Sequence, residues 1–204
     1  LYNAGMKGQK GSADEGGLRV PFLVRWDGHW KAGRDFDTVS AHIDILPTFA
    51  AIAGIKQLPK NQVEGRSLLP LLNGERKTLS DDRYLFTHRA RWATGTEPNT
   101  HQWKNFAVRS QRWRYIGSQQ ARKGNTVPGA LYDMLKDSGQ KENVAEQHPE
   151  VVKKMRTAYE QFWKEARPLM VNESAPMSKT RPFHVWFAEQ MKKGGIPQWK
   201  APSL

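Results

Sequence analysis

KGSADEGGLRVPFLVRW (Lys10–Trp26) decides the reading of the fold, because its two halves demand different backbones. In the first half Gly11, Gly16 and Gly17, with Gly5 and Gly8 just upstream, set a glycine density that suits a loop turning sharply or approaching a ligand closely. In the second half Leu18, Val20, Phe22, Val24 and Trp26 alternate with Arg19, Pro21, Leu23 and Arg25, the period-two pattern of a strand with one apolar face. Pro21 has no N–H to give to a ladder, so the strand is expected at a sheet edge or starting at that residue.

Downstream, Ser40 to Gly54 repeats apolar residues at helical spacing (Ile43, Leu46, Ala50, Ala53), with Asp44 as N-cap, Pro47 in the first turn and Gly54 closing it. SLLPLLNG (Ser67–Gly74) predicts a second, shorter helical turn. Strands are expected at Arg83–His88, Phe106–Ser110, Arg112–Ile116 and Ala130–Met134, the middle two forming a hairpin that turns near Ser110 and Gln111. Ala93–His101 reads as a long loop of the kind that reaches a ligand. From Pro149, apolar residues from Val151 to Ala166 recur every three or four positions, which predicts one long helix stopped by Pro168. The proline-rich tail is expected to run extended around the body, with a short helix over Phe183–Lys193 closed by Gly194. A single leading strand and helix cannot cover both faces of a sheet, so the front reads as part of a larger α/β unit and the rest as α+β.

The 204 residues suffice for one ordinary domain with a small appendage. No apolar run approaches the roughly 18 residues of a membrane span, and the absence of cysteine excludes disulfides, thiolate metal sites and a cysteine nucleophile within the chain. It begins at Leu1 with no charged-then-apolar leader and is read as a piece of a longer protein. The formal charge is +12, and residues 61–130 are the basic part, with 12 Lys and Arg against five Asp and Glu. That balance favours anionic partners without choosing among them.

Lys10 lies between Gly8 and Gly11, where its ammonium and nearby N–H groups can face an oxyanion. Taken by itself the residue reads more readily as a solvated lysine in a turn, and the spacing is not that of a Walker loop. Glu15 and Arg19 read as partners of each other or of backbone. The six histidines include no His-x-x-x-His pair, so no metal site is expected from these residues alone. His42 reads as structural. His88, at a strand end beside Arg89, Arg91 and Trp92, reads either as structural or as part of a cleft. Arg109, Arg112, Trp113, Arg114 and Tyr115 interleave cations with aromatics as nucleic-acid surfaces do, but a hairpin with one buried aromatic face and one solvated cationic face explains the same alternation.

KGSADEGGLRVP (Lys10–Pro21) resembles the Lys-Gly-x-x-x-Glu-Gly-Gly-x-Arg-x-Pro pattern of the type I sulfatases, in the alkaline-phosphatase-like superfamily, at every defined position. SAHIDILPTFAAIAGI (Ser40–Ile55) is similar to that family's Asp-x-x-Pro-Thr helix. EGRSLLPLLNG (Glu64–Gly74), AVRSQRWRYI (Ala107–Ile116) and ALYDMLKDSGQKENVAEQHPEVV (Ala130–Val152) resemble later segments in the right order. Glu64 stands where Asp is usual, and Asp137-Ser138-Gly139-Gln140 replaces the common Asp-Pro-x-Glu turn, at positions that look structural. The tail beyond Pro168 resembles only a subset of bacterial arylsulfatase-like proteins.

The resemblance implies three parts: the C-terminal end of a sulfatase α/β core over 1–75, an antiparallel-sheet subdomain with a long helix over 76–167, and a wrapping tail over 168–204. It implies that Lys10 contacts the sulfate and that the partners are a sulfated small molecule or carbohydrate and the N-terminal part of the same enzyme; given a sulfatase, the charge and loop length of the basic segment 83–114 put His88, Arg91 and Trp92 at the substrate cleft. Calcium and formylglycine are implied for the parent enzyme, with their ligands and nucleophile upstream, so the chain alone is expected to be inert. Location is implied to be periplasmic or secreted, with no membrane partner. The competing readings are a phosphatase or phosphodiesterase of the same superfamily and, more weakly, a basic nucleic-acid-binding module.

Overall fold

The computed structural model describes residues 2–59, 63–79, 83–89, 92–93, 95–117, 119–120, 126–127, 129–170 and 180–195. Leu1–Leu169 forms one compact unit and Met170–Leu204 a second. The second contains helix α5 (Pro182–Lys192), with Pro182 in its first turn and Gly194 beyond its end at φ +113°. Of the rest of the tail expected to run extended, Arg167–Leu169 forms a 3-10 turn instead, and 171–179 and 196–204 lie outside the described residues.

The first unit is built on a four-stranded antiparallel sheet in the order β1 (Leu85–His88), β2 (Phe106–Arg109), β3 (Trp113–Ile116), β6 (Ala130–Asp133). A short ladder of β4 (Gln119–Gln120) and β5 (Thr126–Val127) lies between β3 and β6 in the chain. All four main strands fall where alternation predicts them, and β2 and β3 are joined at Ser110, whose N–H donates to the Trp113 carbonyl at 2.8 Å. The free edge of β6 is closed by Asn143 and Val144: Leu131 N–H donates to Asn143 Oδ1 at 3.0 Å and Leu131 O accepts from Val144 N–H at 2.9 Å.

Register divides the sheet side chains between two faces. Phe86, Val108, Tyr115 and Leu131 form one cross-strand row. They share their face with Phe106, which stacks on Tyr159 of the long helix α4 (Pro149–Ala166) at 3.7 Å between ring centroids. Met155, Tyr159 and Trp163, at helical spacing, are the buried stripe of α4. On the other face Ala107, Ile116 and Tyr132 pack with Met134 against Ala13 and Leu18 of the glycine-rich segment. Both faces are therefore buried, and both are needed to make the small sheet stable.

Helix α2 (Ile45–Ile52) follows a 3-10 turn at His42–Asp44 and ends in a Schellman motif around Gly54 at φ +74°, with Ile55 N–H to Ala50 O and Gly54 N–H to Ala51 O. Asp44 occupies the N-cap position of α2 without capping it through its side chain. Its fully buried carboxylate instead accepts from Ala41 N–H and Arg66 N–H, both at 2.8 Å, and from the Arg83 guanidinium. Thr48 Oγ1 donates to Asp44 O and accepts from Leu68 N–H, so Asp44 and Thr48 together fasten residues 66–68 to α2, just before helix α3 (Leu69–Leu72). The segment passes so close that a Cβ on Gly65 would overlap the Ile43 carbonyl.

One expectation is corrected. Leu18–Trp26 is not a strand: Glu15–Leu18 is a single helical turn, α1, and Arg19–Trp26 has no regular secondary structure and no ladder partner among the described residues. Its apolar residues lie open to solvent, Val20 at 74% and Leu23 at 92% exposure, as do Leu46 at 57% and Phe49 at 61% on α2. Alternation reports an apolar face, but a strand also needs a neighbour to take its N–H and C=O groups.

Candidate active site

Lys10 is exposed in a turn directly before α1. The loop keeps its shape through close backbone packing at its glycines. Gly8 and Gly11 lie at φ +85° and +89°, conformations that side chains rarely adopt, and a Cβ on Gly17 would overlap the Ser12 carbonyl oxygen.

The sheet grips this loop from beneath. Arg114 of β3 donates through Nη1 to Glu15 Oε2 at 2.7 Å and through Nε to the Ala13 carbonyl at 3.2 Å. Arg109, its cross-strand neighbour on β2, stands 3.9 Å from the same carboxylate oxygen, and Arg19 stands 3.8 Å from Oε1. Tyr132 of β6, in register with Arg114, accepts at Oη from Lys7 Nζ at 2.7 Å. Arg89, immediately after β1, donates to the Gly11 carbonyl at 2.9 Å. Each main strand thus delivers one side chain, from within it or next to it, to the segment 7–15. From farther along, Gln140 Oε1 accepts the Glu15 N–H at 2.7 Å.

Glu15 and Arg19 are partners, as their spacing predicts, but Glu15 also holds the buried Arg114 and the half-buried Arg109. The expected solvated cationic face of the hairpin is therefore corrected: Arg109 and Arg114 lie under the loop, paired to Glu15. Burial pushes the Arg109 guanidinium down to about 10 and lowers Arg114 as well, while the Glu15 carboxylate opposes both shifts. Part of the basic charge of the middle segment is spent inside the protein.

His88 and Trp92 come together, away from Lys10. Their rings are 5.9 Å apart, and His88 also meets Trp163 edge-on at 4.9 Å, so it belongs to the α4 side of the sheet. His88 Nε2 donates to the His101 carbonyl at 3.0 Å, which leaves Nδ1 buried without a partner among the described residues. Burial pushes this imidazole below its ordinary value. Trp92 also lies 5.5 Å from the His101 ring. Arg91 lies outside the described residues. His42 is exposed at the start of its 3-10 turn.

A surface depression of about 520 Å³, lined by Trp103, Val152, Lys153 and Arg156 among others, opens along α4 on the face away from the Lys10 loop. Among the described residues no three His, Asp or Glu gather as a metal-holding group, and the chain has no cysteine. No helix among the described residues is long and apolar enough to cross a membrane. The loop anchors Arg109, Arg114, Tyr132 and Gln140 escape a sequence reading. The alternation of Arg109 and Arg114 across the hairpin signals a shared row, but nothing local points from it to Glu15.

Residues 10–165 match the family described as N-sulphoglucosamine sulphohydrolase, C-terminal. The chain is 37% identical over 107 residues to the steryl-sulfatase of Homo sapiens, covering 49% of this chain and 18% of that protein. It is 30% identical over 167 residues to arylsulfatase A of Homo sapiens, covering 72% of this chain and 31% of the relative. A solved structure from Bacteroides thetaiotaomicron, described under its metabolism of multiple glycosaminoglycans, superposes with TM-score 0.60 at 29% identity, over 78% of this chain and 32% of that one. The chain therefore spans less than a third of either curated relative.

Proposed function

The chain belongs to the N-sulphoglucosamine sulphohydrolase C-terminal family, the C-terminal portion of the type I sulfatases, and from that premise we propose that it supplies Lys10 to the active site of a sulfuric ester hydrolase completed by an N-terminal part of the same enzyme. The observation that carries this reading is an exposed ammonium on a loop fixed at several backbone positions by the sheet. Cleavage of an S–O bond builds negative charge on the departing oxygen, and a cation already in place stabilises that charge without reorganising as the reaction proceeds.

Calcium and formylglycine are typical of the family, and this reading places both on the upstream part. The apolar residues left open on the front of the chain (Val20, Phe22, Leu23, Leu46, Phe49) support a partner that covers them. The substrate class is a sulfated small molecule or carbohydrate, in keeping with the glycosaminoglycan setting of the Bacteroides relative. His88 and Trp92, which pack together on the α4 side of the sheet, are left out of the Lys10 site in this reading, and a periplasmic or secreted location goes with it.

The test uses the full-length protein and a chromogenic aryl sulfate. Lys10→Ala is expected to lower kcat roughly 100- to 1,000-fold, while the 204-residue chain alone turns nothing over. Turnover by the isolated chain, or an unchanged kcat in Lys10→Ala, would overturn the proposal. Preference for the matching phosphate ester would move the enzyme to the phosphatase branch of the superfamily.

A further inference from the structure

We infer that Gln140 is a positioning residue for Lys10, acting through the backbone of Glu15; this rests on the role proposed for Lys10 above. Gln140 is unfavourable where it stands. Its backbone lies at φ +54°, in the left-handed region that side chains other than Gly, Asn and Asp seldom occupy. Its side chain is buried at 2% exposure, and Nε2 finds no protein partner among the described residues. A left-handed backbone and a stranded amide both cost stability, and such features persist where the surroundings over-determine them.

What Gln140 supplies is an acceptor beneath the first residue of α1. The Asp14 side chain caps nothing there, so the Glu15 N–H depends on Gln140 Oε1, 125 positions away in the chain. That dependence also sets the amide orientation, because an N–H must face oxygen and not NH2. Glu15 lies five residues from Lys10, and the intervening backbone is held at Gly11 O by Arg89 and at Ala13 O by Arg114. Both of those bonds run to carbonyl oxygens. Gln140 instead holds a backbone N–H, that of Glu15, from across the fold, and so fixes the height of α1 above the sheet. Releasing it lets the loop lift without breaking the Glu15–Arg114 pair, which displaces the ammonium while leaving its charge intact. A loss of this kind falls on the transition state more than on substrate binding.

Two variants and two readouts test this. Gln140→Ala removes the acceptor, and Gln140→Glu keeps one in the same place. In the full-length protein, Gln140→Ala is expected to speed amide hydrogen exchange at Glu15 by about tenfold or more while Val108 and Tyr115 in the strands keep their protection. In the full-length enzyme it is expected to lower kcat roughly 10- to 100-fold, with KM moving much less. Gln140→Glu should recover most of both. Unchanged exchange at Glu15, loosening of the whole sheet in parallel with the loop, or a loosened loop with wild-type kcat each overturns the inference. A full-length wild type inactive on sulfate esters overturns the sulfatase reading beneath it, and the exchange measurement tells that failure apart from the others.

Discussion

Asp44 and Arg83, 39 positions apart, meet in a two-pronged ion pair in which the guanidinium donates to both carboxylate oxygens at 2.6 and 2.8 Å and Asp44 has no exposure to solvent. The pair ties the start of α2 to the chain just before β1, so the two ends of a long excursion close on one contact. Burial by itself raises the Asp44 carboxyl, and Arg83 with the N–H groups of Arg66 and Ala41 more than offsets it, so the group is held below its ordinary 3.8.

A carboxyl held low in the fold contributes stability that is present above its unfolded value and is lost as pH falls through the folded one. Acid unfolding below about pH 4 is therefore expected to depend on Asp44. Asp44→Asn leaves Arg83 buried and unpaired, at a cost of roughly 3–5 kcal/mol at pH 7. Denaturant melts of both proteins between pH 2.5 and 7 check this: the gap should be widest at neutral pH and narrow in acid. A constant gap rejects the coupling.

Gly65→Ala should destabilise more than Gly54→Ala. The first drives a Cβ into the Ile43 carbonyl, a clash that forces α2 away from the 66–68 segment and costs about 1–3 kcal/mol or more. The second meets open space and carries only the left-handed backbone penalty, about 1 kcal/mol. Equal midpoints in urea would place the 43–65 approach outside the stable structure.

His88 acts in the same direction but nearer neutrality. Its folded value is depressed by burial, so the unfolded chain binds the proton first as pH drops below about 6.5. Stability is then lost as pH falls from 6.5 through the lower folded value, and is fully present above 6.5. The fall in Tm between pH 7.5 and 5 should be shallower in His88→Gln than in the wild type; identical slopes would remove His88 as a contributor.

Phe49→Glu probes the uncovered front. The side chain is 61% exposed, so stability of the chain alone should change by no more than about 0.5 kcal/mol. Recovery of sulfatase activity on mixing with a separately expressed N-terminal part should nevertheless fail. Full recovery with the variant would show that α2 does not meet that part.

Elements held together by neighbours in the chain were legible from the sequence. The period of Met155, Tyr159 and Trp163 marks α4, and Gly54 marks the end of α2, because both signals arise within a few residues. Contacts made across the fold were not. Arg109 and Arg114 read as solvated because a charge without a visible partner belongs in water, and their partner Glu15 lies 99 positions from Arg114. Arg19–Trp26 failed in the reverse direction: its pattern states what it would bury, and nothing among the described residues comes to bury it. Lys10 is proposed on a family resemblance, whereas Gln140 sits in a turn whose importance shows only once Glu15 is seen above it.

The grip of all four main strands on one loop carries a lesson for anyone recombining members of this family. A chimera with its crossover between Pro21 and Arg83 would join a lysine loop from one parent to arginines, tyrosine and glutamine from another, and would misplace the ammonium even if both halves folded well. Loop and sheet are a single heritable module, split in the gene by some sixty codons and rejoined only when the polypeptide folds.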